Sequence, residues 1–177
     1  TNGIAFQVTV DSGAQIFNIT GNRFTDSATA GYDYGLFITI NNASTPQINI
    51  TDNEIVGADI RAINLATNGS SAPVIVARNN ILTDGLANDR PSEQVVLVNT
   101  STSASDVTFD NNVISGSDSE CFHMIFSNTA NTPRLVLTNN QISFCDERGL
   151  SLSPPPSSST NGLEAIVQNN TFTVADT

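Results

Sequence analysis

Six asparagines, each followed two residues later by Ile, Leu or Phe, recur at nearly regular intervals along this 177-residue chain. The six asparagines are Asn22, Asn53, Asn80, Asn112, Asn140 and Asn170. Successive copies lie 31, 27, 32, 28 and 30 residues apart, and no copy is missing from the series. A period of about thirty residues is typical of solenoids, in which each unit stacks on the next. The sequence therefore predicts one repeat domain that spans residues 1–177.

Apolar residues occupy three fixed positions relative to each asparagine. Five residues before it stand Phe17, Ile48, Ile75, Val107, Leu135 and Ala165. Three residues before it stand Ile19, Ile50, Ala77, Phe109, Leu137 and Val167, and two after it stand Phe24, Ile55, Leu82, Ile114, Ile142 and Phe172. The two apolar positions before the asparagine are two residues apart, which is the period of a strand with one buried face. The odd step of five across it predicts a bend at the asparagine, whose backbone tolerates the left-handed conformation.

Another strand-like run opens each unit, as in Gly35–Ile40 and Phe122–Phe126. Each unit therefore contains an opening strand, a loop, a second strand, the asparagine bend and a short third strand. No window of ten residues carries helical periodicity free of Gly, Asn or β-branched residues. The predicted fold class is all-β.

Three short strands per unit resemble the right-handed parallel β-helix of the pectin-lyase-like superfamily and of autotransporter-type passenger domains. The resemblance covers nearly the whole chain. It implies about six coils, with the six bend asparagines stacked in a ladder whose side-chain amides bond along the axis. A leucine-rich repeat is the alternative solenoid, but its period is usually shorter and its leucine spacing is absent here.

No capping helix is recognisable at either end of the repeat, although an uncapped solenoid exposes its core and its strand edges. We therefore expect the chain to be a fragment of a longer rod. Its partners would then include neighbouring β-helix coils of the parent chain.

Composition narrows the classes of partner. Asn, Ser and Thr number 22, 19 and 20, Lys is absent, and the net charge is −11. Nucleic acid requires a basic stripe, so this charge argues against it, and it also disfavours anionic lipid surfaces. No apolar run is long enough to span a membrane, so no membrane insertion is expected.

The two cysteines, Cys121 and Cys145, lie 24 residues apart, which is close to one coil. Both are placed in the loop after the asparagine bend, on adjacent coils, where a disulfide fits an oxidising compartment. However, Cys121 follows its asparagine by nine residues and Cys145 follows its own by only five. A bridge and two free thiols are therefore both retained.

Charged residues concentrate before the opening strands, where stacking would place them along one edge. They include Asp59, Arg61, Asp84, Asp89, Arg90, Glu93, Asp118, Glu120, His123, Asp146, Glu147 and Arg148. In pectin-lyase-like enzymes this neighbourhood forms the substrate cleft. The resemblance thus makes Asp89, Arg90, Glu120, Glu147 and Arg148 the candidate catalytic residues if the chain is a polysaccharide lyase or a glycoside hydrolase. The simpler interpretation is a solvated edge on which acids pair with arginines of neighbouring coils.

Enzyme signatures of the superfamily are absent. Polygalacturonases carry Gly-His-Gly, whereas His123 lies between Phe122 and Met124. The lack of Lys excludes the class of lyases that use a catalytic lysine. Two cysteines and one histidine at these spacings match no zinc template. No cofactor or metal is predicted. Calcium would suit the acidic surface, although no motif supports it.

The sequence thus favours a non-catalytic segment of an extracellular or cell-surface β-helical protein, bacterial in origin. It would act as a stalk or adhesin and bind a glycan or a cell surface along a solenoid face, using the acidic edge or exposed aromatics such as Tyr32, Tyr34 and Phe37. The alternative is a polysaccharide lyase or hydrolase with the cleft residues named above.

Overall fold

The chain forms a parallel β-solenoid in a computed structural model that describes residues 3–25, 32–42, 44–84, 91–127, 131–155 and 162–173. Three sheets of six strands each run along the rod, and every strand pairs in parallel with the equivalent strand of the next coil. No helix occurs among the described residues, and none there is long and apolar enough to cross a membrane. The prediction of an all-β solenoid is therefore confirmed.

The strands are numbered in chain order, and each coil contributes one strand to each sheet. Sheet A contains β1 (Ile4–Val10), β4 (Tyr32–Ile40), β7 (Ala58–Thr67), β10 (Val95–Asn99), β13 (Glu120–Phe126) and β16 (Arg148–Ser153). Sheet B contains β2 (Ile16–Thr20), β5 (Gln47–Thr51), β8 (Val74–Arg78), β11 (Asp106–Asp110), β14 (Arg134–Thr138) and β17 (Glu164–Gln168). Sheet C contains β3 (Arg23–Thr25), β6 (Glu54–Val56), β9 (Ile81–Thr83), β12 (Val113–Ser117), β15 (Gln141–Cys145) and β18 (Thr171–Thr173).

The rod makes about five turns rather than the six that were expected. Six copies of the repeat give six strands per sheet, but only five turns of chain separate the first copy from the last. The count of copies therefore overstated the count of turns by one.

The core lies inside the coil, where the three predicted apolar positions of each unit meet the inward face of sheet A. Thirteen of the eighteen predicted positions are buried. The other five, in the first and last coils, are Phe17, Phe24, Ala165, Val167 and Phe172. In the middle coils the ring of Phe109 packs edge-on against that of Phe122, with centroids 5.1 Å apart. Each coil therefore covers the apolar face of the coils beside it.

The asparagine ladder runs continuously between sheets B and C. Each side-chain amide donates to the side-chain oxygen of the next asparagine at 2.8–3.0 Å, from Asn22 through to Asn170. The same oxygen also accepts the backbone N–H of the preceding asparagine, as Asn112 does for Asn80 at 3.0 Å. The second amide hydrogen reaches a backbone carbonyl of the preceding coil, as from Asn112 to Ala77 at 3.1 Å. Buried polar groups at this corner are thus satisfied by one another.

The left-handed residue of each bend is not the ladder asparagine, as expected, but the residue before it. Positive φ angles of 55–68° occur at Gly21, Asp52, Asn79, Asn111, Asn139 and Asn169. Asp, Asn and Gly are the residues that adopt this conformation at least cost. The bend therefore uses two positions, one for the backbone and one for the side-chain ladder.

Candidate functional site

The charged edge predicted from the sequence lies where sheet C turns into sheet A. Strand alternation breaks there, because adjacent residues are both buried: Ala62 and Ile63 on β7, and Cys121 and Phe122 on β13. Residues three apart, on either side of this break, therefore both point to the outer side of sheet A, where Asn64 and Glu120 are nevertheless buried. Arg61 and Asn64 are such a pair, with an Arg61 Nη1 to Asn64 Oδ1 hydrogen bond of 2.8 Å.

Parallel register stacks these outer residues into two columns. In the first column Tyr34 lies opposite Arg61, and Glu120 lies opposite Arg148. Glu93 joins this column just before β10, because its backbone N–H donates to the carbonyl of Ile60 at 3.4 Å. The second column contains Phe37, Asn64, Val96, His123 and Ser151. We call the two columns together the sheet A strip; it consists of Tyr34, Phe37, Arg61, Asn64, Glu93, Val96, Glu120, His123, Arg148 and Ser151.

Acids and arginines of the strip pair across neighbouring coils. Arg61 Nε lies 3.3 Å from Glu93 Oε2, and Arg148 Nη1 lies 2.8 Å from Glu120 Oε1. Arg148 also lies 3.4 Å from Glu147 Oε2, on an exposed part of the edge. The expected pairing of acids with arginines of the next coil is therefore confirmed for these groups.

Glu120 is the most deeply placed acid of the strip, with 9% of its side chain exposed. The Ser119 hydroxyl donates to its Oε2 at 2.5 Å. This hydrogen bond lowers the pKa of Glu120, assisted by Arg148 and the nearby His123, while burial acts in the opposite direction. Glu120 is therefore held as a carboxylate at neutral pH.

His123 brings the two acids of neighbouring coils together. Its Nδ1 lies 3.5 Å from Glu93 Oε1. One ligand atom from each of Glu93, Glu120 and His123 falls within 4.8 Å of the others. Carboxylate oxygen and imidazole nitrogen both bind divalent metals, so this cluster is a candidate metal centre.

One end of the strip is aromatic. The rings of Tyr34 and Phe37 meet edge-on with centroids 5.0 Å apart, and both side chains are half-buried. Tyr32 was expected to be an exposed binding residue, but its hydroxyl lies within hydrogen-bonding distance of the carbonyls of Phe24 (3.1 Å) and Val56 (2.9 Å). The Tyr32 hydroxyl therefore ties the start of β4 to sheet C and is engaged within the fold.

Beneath the strip a disulfide joins Cys121 to Cys145, so the bridged alternative is the one present. Cys121 lies on β13 in sheet A and Cys145 ends β15 in sheet C, rather than both lying in one loop as expected. Cys145 pairs in register with Ser117, four residues before Cys121. The four-residue mismatch in the sequence thus reflects a bond that crosses the corner between two sheets.

Gln94 fills the same corner one coil away. Its Nε2 donates to the carbonyls of Ser115 (2.7 Å) and Gly116 (2.5 Å), which ties β12 to the start of β10. Gly35 occupies the equivalent position on β4, where an added Cβ would lie 2.6 Å from the carbonyl oxygen of Ala62. The corner under the strip is therefore tightly packed and supports it from below.

Of the candidate cleft residues, Glu120, Glu147 and Arg148 come together at this edge. Asp89 and Arg90 lie outside the described residues. Arg61, Asn64 and Glu93 were not selected from the sequence as site residues, although Arg61 and Glu93 belong to the charged clusters noted there. The i, i+3 spacing of Arg61 and Asn64, repeated by Glu120 and His123, is the sequence signal that could have indicated these two pairs.

Comparison of the chain with protein-family models, with curated proteins and with solved structures gave no significant match. The parallel β-solenoid architecture consequently rests on the sequence repeat and on the structure itself.

Proposed function

We propose that this chain is a non-catalytic segment of an extracellular or cell-surface β-helical protein that binds a glycan along the sheet A strip. The observation that carries the proposal is the half-buried Tyr34–Phe37 pair on β4 beside Arg61 on the neighbouring strand β7, where the buried Asn64 holds the Arg61 guanidinium. An aromatic face can stack on the C–H face of a sugar ring, while guanidinium and amide groups bond to its hydroxyls. A strip built on paired strands also loses little of its own conformational entropy when a polymer binds.

An extracellular location is supported by the Cys121–Cys145 disulfide, since such bonds persist in oxidising compartments. It is also supported by the acidic surface without lysine, which favours solubility and does not favour nucleic acid. A solenoid that keeps its ladder along the rod and its core through the middle coils suits a stalk or adhesin.

The test is a glycan array followed by calorimetry on the best ligand. Replacing Phe37 with Ala should weaken binding by about tenfold or more, because truncating an aromatic hot-spot residue costs about 2 kcal/mol or more and about 1.4 kcal/mol is already tenfold. The matched control is Thr39→Ala, which changes the next outward residue of β4 and should leave affinity unchanged. Binding that is indifferent to Phe37→Ala, or no binding to any glycan, would overturn the proposal.

A second candidate function is cleavage of a polysaccharide. It is favoured by Glu93 and Glu120, whose carboxylates approach each other from adjacent coils within 4.8 Å, because glycoside hydrolases use a pair of carboxylates. Against it, the lowered pKa of Glu120 makes that group a poor general acid. If this candidate were correct, Glu120→Gln would abolish turnover while Glu147→Gln would retain it.

A further inference from the structure

We propose that Glu93, Glu120 and His123 bind a divalent transition-metal ion on the outer face of sheet A. The inference goes beyond glycan binding and does not depend on it. The sequence places all three residues on the charged edge but does not define the site, because they come from two coils and match no spaced metal-binding motif.

The three groups are placed by the sheet rather than by flexible loops. Glu120 and His123 both lie on β13, three residues apart on either side of the break in alternation. Glu93 lies on the preceding coil, directly before β10, in the same column as Glu120. Their side chains are largely sheltered, with 15%, 9% and 27% exposed for Glu93, Glu120 and His123. Such placement reduces the cost of assembling a coordination shell.

The separations suit a metal with short bonds. Two ligands on a tetrahedral ion at about 2.0–2.1 Å would lie roughly 3.3 Å apart. His123 Nδ1 and Glu93 Oε1 are already 3.5 Å apart, and the third ligand atom lies within 4.8 Å of both. For all three ligands to hold one ion, the Glu120 carboxylate, which also accepts hydrogen bonds from Ser119 and Arg148, would move towards the other two.

The donor set selects the class of metal. Imidazole nitrogen suits Zn²⁺ and its first-row neighbours, whereas Ca²⁺ and Mg²⁺ take oxygen ligands. Three protein ligands leave a coordination position open towards solvent, as in catalytic rather than structural zinc sites.

Arg61 can orient the Glu93 carboxylate without occupying the oxygen that would bind the metal. Glu93 uses Oε2 for Arg61 and keeps Oε1 towards His123. Arg61 is itself held by the Asn64 side chain at 2.8 Å. Partners of this kind fix the direction of a ligating carboxylate, and their loss typically weakens metal binding 10–100-fold.

The experiment is a titration of the untagged, disulfide-intact protein with Zn²⁺ by calorimetry and with Co²⁺ by visible absorption. Because His123 is the only histidine of the chain, His123→Gln should abolish the Co²⁺ bands that report nitrogen and oxygen ligation. Both His123→Gln and Glu93→Gln should weaken Zn²⁺ binding at least about 100-fold. Losing a residue that only orients a ligand already costs up to about 100-fold, and these variants lose a direct ligand.

The matched control is Glu147→Gln, which removes an exposed acid that contacts Arg148 but lies outside the cluster. It should bind Zn²⁺ as the wild type does, and thermal melts of all variants show whether each is folded. One equivalent of Zn²⁺ bound by the wild type and by Glu147→Gln, but not by the other two, is the expected result. No Zn²⁺ heat in the wild type, or equal affinity in folded His123→Gln, would overturn the proposal.

Discussion

At the scale of single residues, asparagine has two different roles at neighbouring positions of each bend. The first position adopts a positive φ, as Asn111 does at 55°, and the second supplies the ladder amide, as Asn112 does. The sequence predicted the ladder members by resemblance but assigned the left-handed backbone to the wrong one of the two. The sequence signal that separates the two roles is the column before the ladder, where Gly21 and Asp52 stand beside four asparagines, because Gly, Asp and Asn adopt a positive φ at least cost.

Replacing the ladder residue Asn112 by Ala should reduce the free energy of unfolding by about 1–3 kcal/mol, because buried polar partners lose their bonds. The partners are the Asn80 N–H, which loses its 3.0 Å acceptor, and the Ala77 carbonyl, which loses its 3.1 Å donor. Urea melts measure the change. Asn18→Ala, on the exposed face of β2, is the control and should change stability by no more than about 0.5 kcal/mol. Equal losses in the two variants would contradict the ladder.

Acid should destabilise the protein through Asp110. Hydrogen bonds from Thr138 and Asn139 lower the pKa of Asp110 below its ordinary value, with help from Arg78. Since the folded pKa is lower than the unfolded one, the stabilisation is complete above the unfolded pKa of about 3.9 and is lost as pH falls through the folded pKa. Denaturant melts at a series of acidic pH values should show that the free energy of unfolding falls less with decreasing pH in Thr138→Val than in the wild type. Identical pH profiles would show that this hydrogen bond does not contribute.

At the scale of strands, the three apolar positions of each repeat predicted which faces of β2, β3 and their equivalents are buried. That prediction succeeds in the middle coils because alternation holds in sheet B and in the first three residues of each sheet C strand. It could not extend to the start of the sheet A strands, where Ala62 and Ile63 are buried in succession. The break depends on contacts across the corner, such as the Cys121–Cys145 bond and the Gln94 amide, which the local sequence does not encode.

Phe109→Ala should cost about 3–5 kcal/mol of unfolding free energy as a cavity in the middle of the rod. Phe109 is 1% exposed and packs against Phe122 of sheet A, so the cavity would lie between two sheets. Thermal or urea melts give the value. Thr108→Ala, which faces outward on the same strand, should cost about 0.5 kcal/mol or less. A neutral Phe109→Ala would mean that the register of β11 is wrong.

Removing the disulfide by the double change Cys121→Ser and Cys145→Ser should destabilise the protein by about 2–4 kcal/mol. The bond lies between two sheets and closes a segment of 24 residues. The wild type melted in reductant should match the stability of the double variant, whereas the unreduced wild type should stay more stable than both. Alkylation of the unreduced wild type should modify neither cysteine, and two modified cysteines by mass spectrometry would contradict the bridge.

At the scale of the whole molecule, the fold could be predicted from the sequence much further than the site. A solenoid repeats one short-range pattern, so thirty residues carry most of the information for the rod. The strip depends instead on which residues of different coils become neighbours. The sequence indicated the edge that contains Glu120 and Arg148, but the contact of Glu93 with His123 required the register of β10 against β13.

The most direct test of the proposed function is one titration that records binding and turnover together. The best array glycan is added to the wild type and to Phe37→Ala, with heat, reducing ends and the ultraviolet absorbance of unsaturated products followed in the same solution. We expect saturable binding by the wild type, about tenfold or more weaker in the variant, and no product from either. Product that accumulates with the wild type and disappears with Glu120→Gln would contradict this account and make the sheet A strip a catalytic cleft.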